Sequence, residues 1–237
     1  MRKSLQPSML ALFAFTLSAA LGAQDRPTLG VAEFDNHVGG LYWWNSGVGH
    51  DLSDMLTNEL AATNAFTIVE RANLEPVLRE QDLAQAGRVD PGTAAQVGEL
   101  TGAQYLVQGT VSAYEEAKST GGGIGFRGIR VGGRKDEAYI AVDLRVVDTT
   151  SGQVAYTRTV EARAGGRGFD VGAYRGGWSG NLSQYEATPA GKAIRAILVE
   201  ITDYLECAMV VQGTCMAEYD AKEDRRREGL RDAVKLD

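Results

Sequence analysis

Hydrophobic and polar residues alternate along several short runs of this chain, which is the pattern of a strand with one buried face. The first run, TLGVAEFDN, predicts a strand that ends near Asn36. Four more strands are predicted, at 66–70, at 105–114 and as a pair within 138–162 that is joined by a turn at 150–152. In the first strand of that pair, one face is formed by Ala138, Ile140, Val142, Leu144 and Val146.

Apolar residues recur at helical spacing in three other segments, and each stripe predicts the inward face of an amphipathic helix. The first stripe consists of Val48, Leu52, Met55, Leu56 and Leu60. The second helix is predicted over 72–84, with an inward face formed by Leu74, Val77, Leu78 and Leu83. The third begins at Thr188-Pro189, and its inward face is formed by Ile194, Ile197, Leu198, Ile201 and Leu205.

A fourth helix start lies at Asp90-Pro91, with aspartate as the N-cap and proline at the first helical position. This helix is expected to be short and to stop at Gly102. The resulting order, β-α-β-α-α-β-β-β-α, predicts a mixed α/β or α+β domain with helices packed on a mixed sheet.

The chain begins like a secretory signal peptide. Arg2 and Lys3 precede a short apolar run at 9–17, and the small residues of SAALGA end at Ala23. The apolar run is too short to span a bilayer, which takes about 20 residues. We therefore expect residues 1–23 to be removed on export and the protein to act in the periplasm or at the outer membrane. Because no cysteine lies at the expected cleavage site, we expect no lipid anchor.

Charge and cysteine content narrow the possible partners. The formal net charge is −7, which disfavours a nucleic-acid partner because phosphate binding requires a basic surface. The two cysteines, Cys207 and Cys215, lie close together in the chain, so a local disulfide is predicted in an oxidising periplasm. Two unpaired buried thiols are the alternative. A metal site is disfavoured because the two histidines, His37 and His50, are far from both cysteines in sequence.

The glycine residues are unevenly distributed along the rest of the chain. More than half of the 29 glycines lie within residues 121–180, which marks two glycine-rich segments that differ from the surrounding domain. After the domain, residues 218–237 form a highly charged tail that is predicted to be helical and solvated.

Motifs of catalysis are weak in this sequence. The GxGxxG pattern at 123–128 is followed by IRVGG, which cannot begin the helix that a nucleotide-binding loop requires. Gly177 to Gly180 (GWSG) resembles a nucleophile elbow without the strand–turn–helix context. Glu115 and Glu116 are adjacent, so on a strand they point to opposite faces and cannot act as an acid–base pair. We expect neither a cofactor nor an enzymatic activity.

Several longer strings occur in the order typical of one family. They are VAEFDN, LTNELAATNAFTIVERANLEPVLREQ, GAQYLVQGTVSAYE, AVDLRVVDTTSGQV and the late helix TPAGKAIRAILVEI. Together they resemble the CsgG family of curli-secretion channel proteins over nearly the whole exported chain, with the domain at 24–217. The most specific of these features are Glu70-Arg71 after a strand and LRVVD before a Thr-Ser-Gly turn.

The resemblance implies a periplasmic domain that assembles into a homo-oligomeric ring. In channel members, each subunit lends two hairpins to a large outer-membrane β-barrel, and the corresponding inserts here lie at about 114–142 and 156–185. The partners implied are secreted, unfolded polypeptide or other envelope assembly proteins.

The resemblance also implies a pore constriction in the loop after the first strand, where this chain carries Tyr42, Trp43, Trp44 and Asn45. Three consecutive aromatic residues in a glycine-flanked loop cannot all point into one core, so some should face solvent or a partner. The alternative is that Trp43 or Trp44 covers the nearby helix.

Two features favour a different role. The family's channel members are lipoproteins, whereas no anchoring cysteine is expected here. The first insert carries Arg127, Arg134 and Lys135, and an arginine that faces lipid at mid-membrane costs about 2–4 kcal/mol. The inserts could thus be glycine-rich hairpins outside any membrane. The protein would then be a soluble periplasmic ring or scaffold that recruits or activates an envelope machine for polysaccharide export or peptidoglycan synthesis.

Overall fold

The computed structural model describes residues 26–118, 125–126, 129–130, 136–164 and 180–233. The predicted signal peptide at 1–23 lies outside these residues. So do residues 119–124, 127–128 and 131–135 of the first insert and residues 165–179 of the second. Of the GxGxxG match at 123–128, the structure describes only 125–126.

Eight strands and four α-helices make up the described part of the chain. The strands are β1 (Thr28–Val31), β2 (Asp35–Asn36), β3 (Thr67–Val69), β4 (Tyr105–Lys118), β5 (Gly125–Phe126), β6 (Ile129–Arg130), β7 (Asp136–Asp148) and β8 (Val154–Ala164). The helices are α1 (Val48–Thr63), α2 (Glu75–Gln85), α3 (Pro189–Glu206) and α4 (Cys215–Ala233). A 3-10 helix (Gly180–Tyr185) precedes α3, and a short π-helix (Cys207–Val211) follows it.

The main sheet is mixed, in the order β3-β1-β4-β7-β8. Strand β1 pairs in parallel with both β3 and β4, while β4, β7 and β8 are successive antiparallel neighbours. The short β2 adds a parallel pairing to β4, and β5 and β6 pair only with each other. Helices pack on this mixed sheet, so the predicted fold class is confirmed.

One glycine makes room for an aromatic side chain of the connection between β1 and β2, both of which pair with β4. The ring of Phe34 lies directly over Gly109 in β4, and a Cβ atom on Gly109 would come within 2.3 Å of that ring. Phe34 can therefore pack into the core only because position 109 has no side chain.

The core lies between one face of the sheet and the helices α1 and α3. The predicted inward residues of α1 and of α3 are all buried, as is the predicted face of β7 from Ala138 to Val146. On the other face of the sheet, Asp143, Arg145, Glu161 and Arg163 are exposed. Hydrophobic periodicity thus identified the strands and helices whose faces meet in this core.

The helix predicted at 72–84 forms as α2, but the prediction that its apolar face points inward is wrong. Leu74 is the N-cap residue, whereas Val77, Leu78 and Leu83 are exposed, Leu78 to 42%. The physical reason is that α1 and α3 already occupy the helical layer of the described domain, so α2 has no place against the sheet.

The helix predicted after Asp90-Pro91 is absent from this described segment. Asp90 instead closes a turn, because its carboxylate accepts from the Gly92 amide at 2.7 Å and its carbonyl accepts from the Thr93 amide at 3.0 Å. An isolated short helix is marginal without tertiary packing, and here Val97 is 57% exposed. The capping signal was therefore not sufficient to form a helix.

The end of the chain turns back at a disulfide between Cys207 and Cys215, whose Cα atoms are 6.0 Å apart. Helix α4 begins at Cys215, so the predicted boundary at 217/218 falls inside a helix. The disulfide therefore fixes where α4 starts relative to α3.

The charged tail is helical and most of its described residues are exposed, but its first turns also contact the domain. Arg158 of β8 has a side chain that is 10% exposed, and its guanidinium lies 4.9 Å from the ring centroid of Tyr204 and 5.5 Å from that of Tyr219. The same guanidinium donates to the Tyr219 carbonyl and, at 3.0 Å, to the Asp220 carboxylate. Arg158 thus ties α4 to α3 and to the edge strand β8.

Replacing this arginine should loosen the attachment of α4. We expect Arg158→Ala to lower the free energy of unfolding by about 2 kcal/mol, because hydrogen bonds to a largely buried charged group are lost. Urea unfolding followed by circular dichroism measures this difference. Arg145→Ala, at an exposed position of β7, is the control and should stay within about 0.5 kcal/mol of the parent chain. Equal effects of the two variants would contradict the proposed attachment.

Candidate functional site

The segment between β2 and α1, residues 37–47, forms a loop that we call the aromatic loop. The Asn36 side chain starts it by accepting from the Val38 amide at 2.8 Å and donating to the Val38 carbonyl at 3.0 Å. Gly47 ends it with a φ of 102°, a left-handed conformation that favours glycine, and its carbonyl accepts the first α1 bond, from the Asp51 amide at 2.9 Å. The loop therefore has a defined start and end.

The four candidate constriction residues lie in different environments. Tyr42 is 56% exposed and Asn45 is also exposed, whereas Trp44 is half-buried. Trp43 has an exposed fraction of 0% and belongs to the hydrophobic core. Trp43 cannot present its ring to a channel, so the interpretation that it is a pore-lining residue needs correction. The alternative was that Trp43 or Trp44 covers the nearby helix. Trp43 is indeed buried in the core, but its partner there is Tyr114 of strand β4.

Trp43 anchors the loop through aromatic contacts. Its ring packs edge-on against Tyr114 of β4, with centroids 5.3 Å apart, and against Trp44, with centroids 5.8 Å apart. Its indole N–H has no hydrogen-bond partner within the described part of the chain. Trp43 is thus held in the core by aromatic and other apolar packing contacts.

Tyr42, the most exposed of these aromatics, contacts the 3-10 helix at the end of the second insert. The ring of Tyr42 packs edge-on against Tyr185 at 5.8 Å, and the Tyr185 hydroxyl donates to the Tyr42 carbonyl at 3.3 Å. Tyr42 is therefore held at both its backbone and one side of its ring, while its other side faces outward.

The environment of this loop raises the pKa of two tyrosine hydroxyls, those of Tyr42 and Tyr114. Partial burial raises the pKa of Tyr42, and burial together with the neighbouring Tyr42 phenol raises the pKa of Tyr114. The Tyr114 hydroxyl donates to the Glu116 carboxylate at 3.2 Å, which adds to this effect. The site is thus a neutral aromatic and amide surface with one carboxylate at its base.

Sequence reasoning missed the contact that closes the end of the loop. Asp51 of α1 is 6% exposed, and one of its carboxylate oxygens accepts from the Asn181 amide at 2.7 Å and from the Asn181 side chain at 3.1 Å. Gly180 has a φ of 48°, and a Cβ there would lie 2.1 Å from the Asp51 carboxylate. In the sequence, Asp51 has the pattern of an ordinary acidic residue in a first helical turn, so nothing marked its partner.

Two other kinds of feature, a metal-ligand cluster and a membrane-spanning helix, can be assessed in the described residues. In that part of the chain, no three His, Cys, Asp or Glu side chains are grouped as metal ligands would be. No helix there is both long and apolar enough to cross a bilayer.

These features define an α+β domain with an aromatic loop next to its insert ends, and comparison with known proteins gives the family. The chain matches the sequence model described as "Curli production assembly/transport component CsgG" over residues 11–234. It belongs to the CsgG family.

Curated relatives align over part of their length. The curli production assembly/transport components CsgG of Salmonella typhimurium and of Escherichia coli K12 are each 30% identical over 117 residues. The aligned region is 47% of this chain and 42% of each relative, so the chain matches less than half the length of these proteins.

Solved structures resemble this one only distantly. The hypothetical protein CT253 from Chlamydia trachomatis is 12% identical with a TM-score of 0.44, covering 77% of this chain and 96% of that one. A PelC dodecamer from Paraburkholderia phytofirmans is 13% identical with a TM-score of 0.36, covering 74% and 86%. The LpoB C-terminal domain from Escherichia coli is 14% identical with a TM-score of 0.31, covering 59% and 84%. Scores this low carry no functional information.

The different environments of Tyr42 and Trp43 predict that truncating each side chain lowers the free energy of unfolding by a different amount. We expect Trp43→Ala to lower the free energy of unfolding by about 3–5 kcal/mol, because it removes a fully buried aromatic side chain. Tyr42→Ala, the matched variant next to it, should cost about 1 kcal/mol or less because its side chain is largely exposed. Chemical unfolding of the exported chain measures both. If the two variants unfold alike, Trp43 is not the anchor of the loop.

Proposed function

We propose that this protein is a subunit of a ring-shaped secretion channel at the bacterial outer membrane, with Tyr42 and Asn45 lining its narrowest part. The family match over 11–234 carries this proposal, together with the placement of Tyr42 and Asn45 on the outside of an anchored loop. The cargo in this proposal is unfolded, secreted polypeptide, and no catalytic step is required.

The composition of the loop surface suits such a conduit. A tyrosine ring offers apolar area, and an asparagine amide offers one donor pair and one acceptor, so both groups bind many peptide segments weakly. One loop per subunit, repeated around a ring, would give a narrow collar of these groups. Weak binding without sequence preference lets an unfolded chain pass through.

The proposed membrane part consists of the two inserts. Strands β4 and β7 pair from Tyr105↔Asp148 as far as Lys118↔Asp136, and β8 follows β7 to Ala164. We propose that the two inserts, at about 114–142 and 156–185, are the parts of the chain that contribute to a shared outer-membrane β-barrel. A membrane strand takes about 9–11 residues, which is compatible with the strand lengths available here.

Exposed apolar residues support assembly with further copies of this chain. They are concentrated in α2 and in the segment that follows it, namely Val77, Leu78, Leu83, Val97 and Leu100. Clusters of exposed apolar side chains mark contact surfaces. This segment follows the edge strand β3, whereas the opposite edge strand β8 is tied to α4, so the two sides of the subunit differ. A contact between unlike sides generates a ring when the rotation closes.

The alternative function is a soluble periplasmic ring or scaffold that recruits or activates an envelope machine. The basic residues Arg127, Arg134 and Lys135 in the first insert favour this alternative, since facing them toward lipid is costly. A scaffold would use the same subunit contacts and would form no conducting pore. Electrical recording therefore distinguishes the two functions.

The channel function is tested by widening the proposed constriction. We expect rings of Tyr42→Ala/Asn45→Ala to conduct ions better than the parent rings in planar bilayers, because two side chains per subunit leave the opening. Trp43 is left unchanged because it supports the fold. The control, Thr150→Ala/Gln153→Ala, truncates two exposed residues of the β7–β8 turn, at the opposite end of the strands from the inserts.

The control should conduct like the parent protein. Unchanged conductance in the Tyr42→Ala/Asn45→Ala rings would contradict a constriction at this loop. Rings that never conduct ions in planar bilayers would favour the scaffold function.

The subunit contact is tested with charge. We expect Leu78→Glu/Val97→Glu to reduce the native mass from many copies of the 25.4 kDa chain to one copy, because a desolvated carboxylate opposes apolar association. Light scattering after size-exclusion chromatography in detergent measures this. Gln85→Glu/Gln96→Glu adds the same two charges at exposed polar positions of the same segment and should leave the mass unchanged. A large Leu78→Glu/Val97→Glu assembly would place the subunit contact elsewhere.

A further inference from the structure

We infer that Asn181 and Tyr185 are positioning residues that hold the aromatic loop in its shape, so that the loop is coupled to the point where the second insert rejoins the domain. The inference rests on the proposed function only where it calls the loop a constriction. The coupling itself is a property of the single subunit.

Tyr185 holds the middle of the loop. Its hydroxyl donates to the backbone carbonyl of Tyr42 at 3.3 Å, and its ring packs edge-on against the Tyr42 ring at 5.8 Å. The hydrogen bond fixes the backbone and the ring contact limits the side-chain rotamers. Tyr185 is the last residue of the 3-10 helix that begins at Gly180, at the end of the second insert.

Asn181 holds the end of the loop. Its backbone amide and its side-chain amide both donate to one carboxylate oxygen of Asp51, which lies in the first turn of α1. Two bonds to a charged and nearly buried acceptor form a strong attachment. Asp51 in turn follows Gly47, the last residue of the loop, by one helical turn.

The packing around this attachment leaves no room for displacement. A Cβ at Gly180 would lie 2.1 Å from the Asp51 carboxylate, and a Cβ at Gly47 would lie 2.9 Å from the Asn181 side-chain nitrogen. The backbone of the 3-10 helix at Gly180 therefore lies against the Asp51 side chain. The backbone at the end of the loop, at Gly47, lies against the Asn181 side chain. A shift of one of these segments requires a shift of the other.

The start of the first insert contacts the same loop. Tyr114 of β4 lies where that insert was predicted to begin, and it packs on the buried ring of Trp43 at 5.3 Å. The loop thus contacts a residue at the start of the first insert and two residues at the end of the second. This arrangement makes the ends of both inserts and the loop one connected unit.

Hydrogen–deuterium exchange of the exported chain tests the coupling. We expect Asn181→Ala/Tyr185→Phe to speed exchange of the loop-closing amides of Trp44 and Val48 by roughly tenfold, because two hydrogen bonds that restrain the loop are lost. Amides in the second half of α3 should keep their parent rates. If the double variant does not fold, Tyr185→Phe alone, which keeps the ring, is measured instead.

Ser183→Ala is the matched control. It also removes one hydroxyl from the 3-10 helix, but that hydroxyl donates to the Gly180 carbonyl within the same helix. The control should leave loop exchange unchanged. Loop rates that stay at the parent value in the folded Asn181→Ala/Tyr185→Phe chain would overturn the inference.

Equal acceleration in the loop and in α3 would also overturn it, because the two residues would then stabilise the whole domain. The measurement needs neither a ring nor a membrane. Failure of the coupling is therefore distinguishable from failure of the channel function, which conductance reports.

Discussion

The burial of Trp43 against Tyr114 is the interaction on which the rest of the site depends. A glycine-flanked loop has many accessible conformations, and ordering each residue costs about 1–2 kcal/mol of conformational entropy. A fully buried tryptophan offsets much of that cost and fixes which neighbouring residues face outward. With Trp43 inside, Tyr42 and Asn45 are left on the surface. Trp43 thus anchors the loop, while Tyr42 and Asn45 remain available for contact.

The single helical layer explains the remaining features of the domain. Helices α1 and α3 cover one face of the sheet, and α2 is left with an exposed apolar face beyond the edge strand β3. On the other side, the disulfide fixes the start of α4, and Arg158 ties that helix to the edge strand β8. The subunit therefore has two unlike sides. Unlike sides are what a closed ring of identical copies requires.

Much of this fold could be predicted from the sequence, because strands and helices whose periodic faces meet in the core have a local signature. The stripes of α1 and α3 and the alternation of β7 are of this kind. The exposure of the apolar face of α2 could not be predicted, since periodicity specifies a face and not its partner. Nor could the sequence separate Trp43 from Tyr42, because adjacent loop residues have no periodicity. The bond from Asn181 to Asp51 joins residues 130 positions apart, and only the tertiary fold brings them together.

The central claim is that the aromatic loop acts in a ring of identical subunits. Electron microscopy of the protein extracted from outer membranes in mild detergent tests it most directly. The account predicts circular particles with a central opening, narrowed at the level of the α+β domains, where the loops meet. Particles the size of a single chain in every preparation would contradict it.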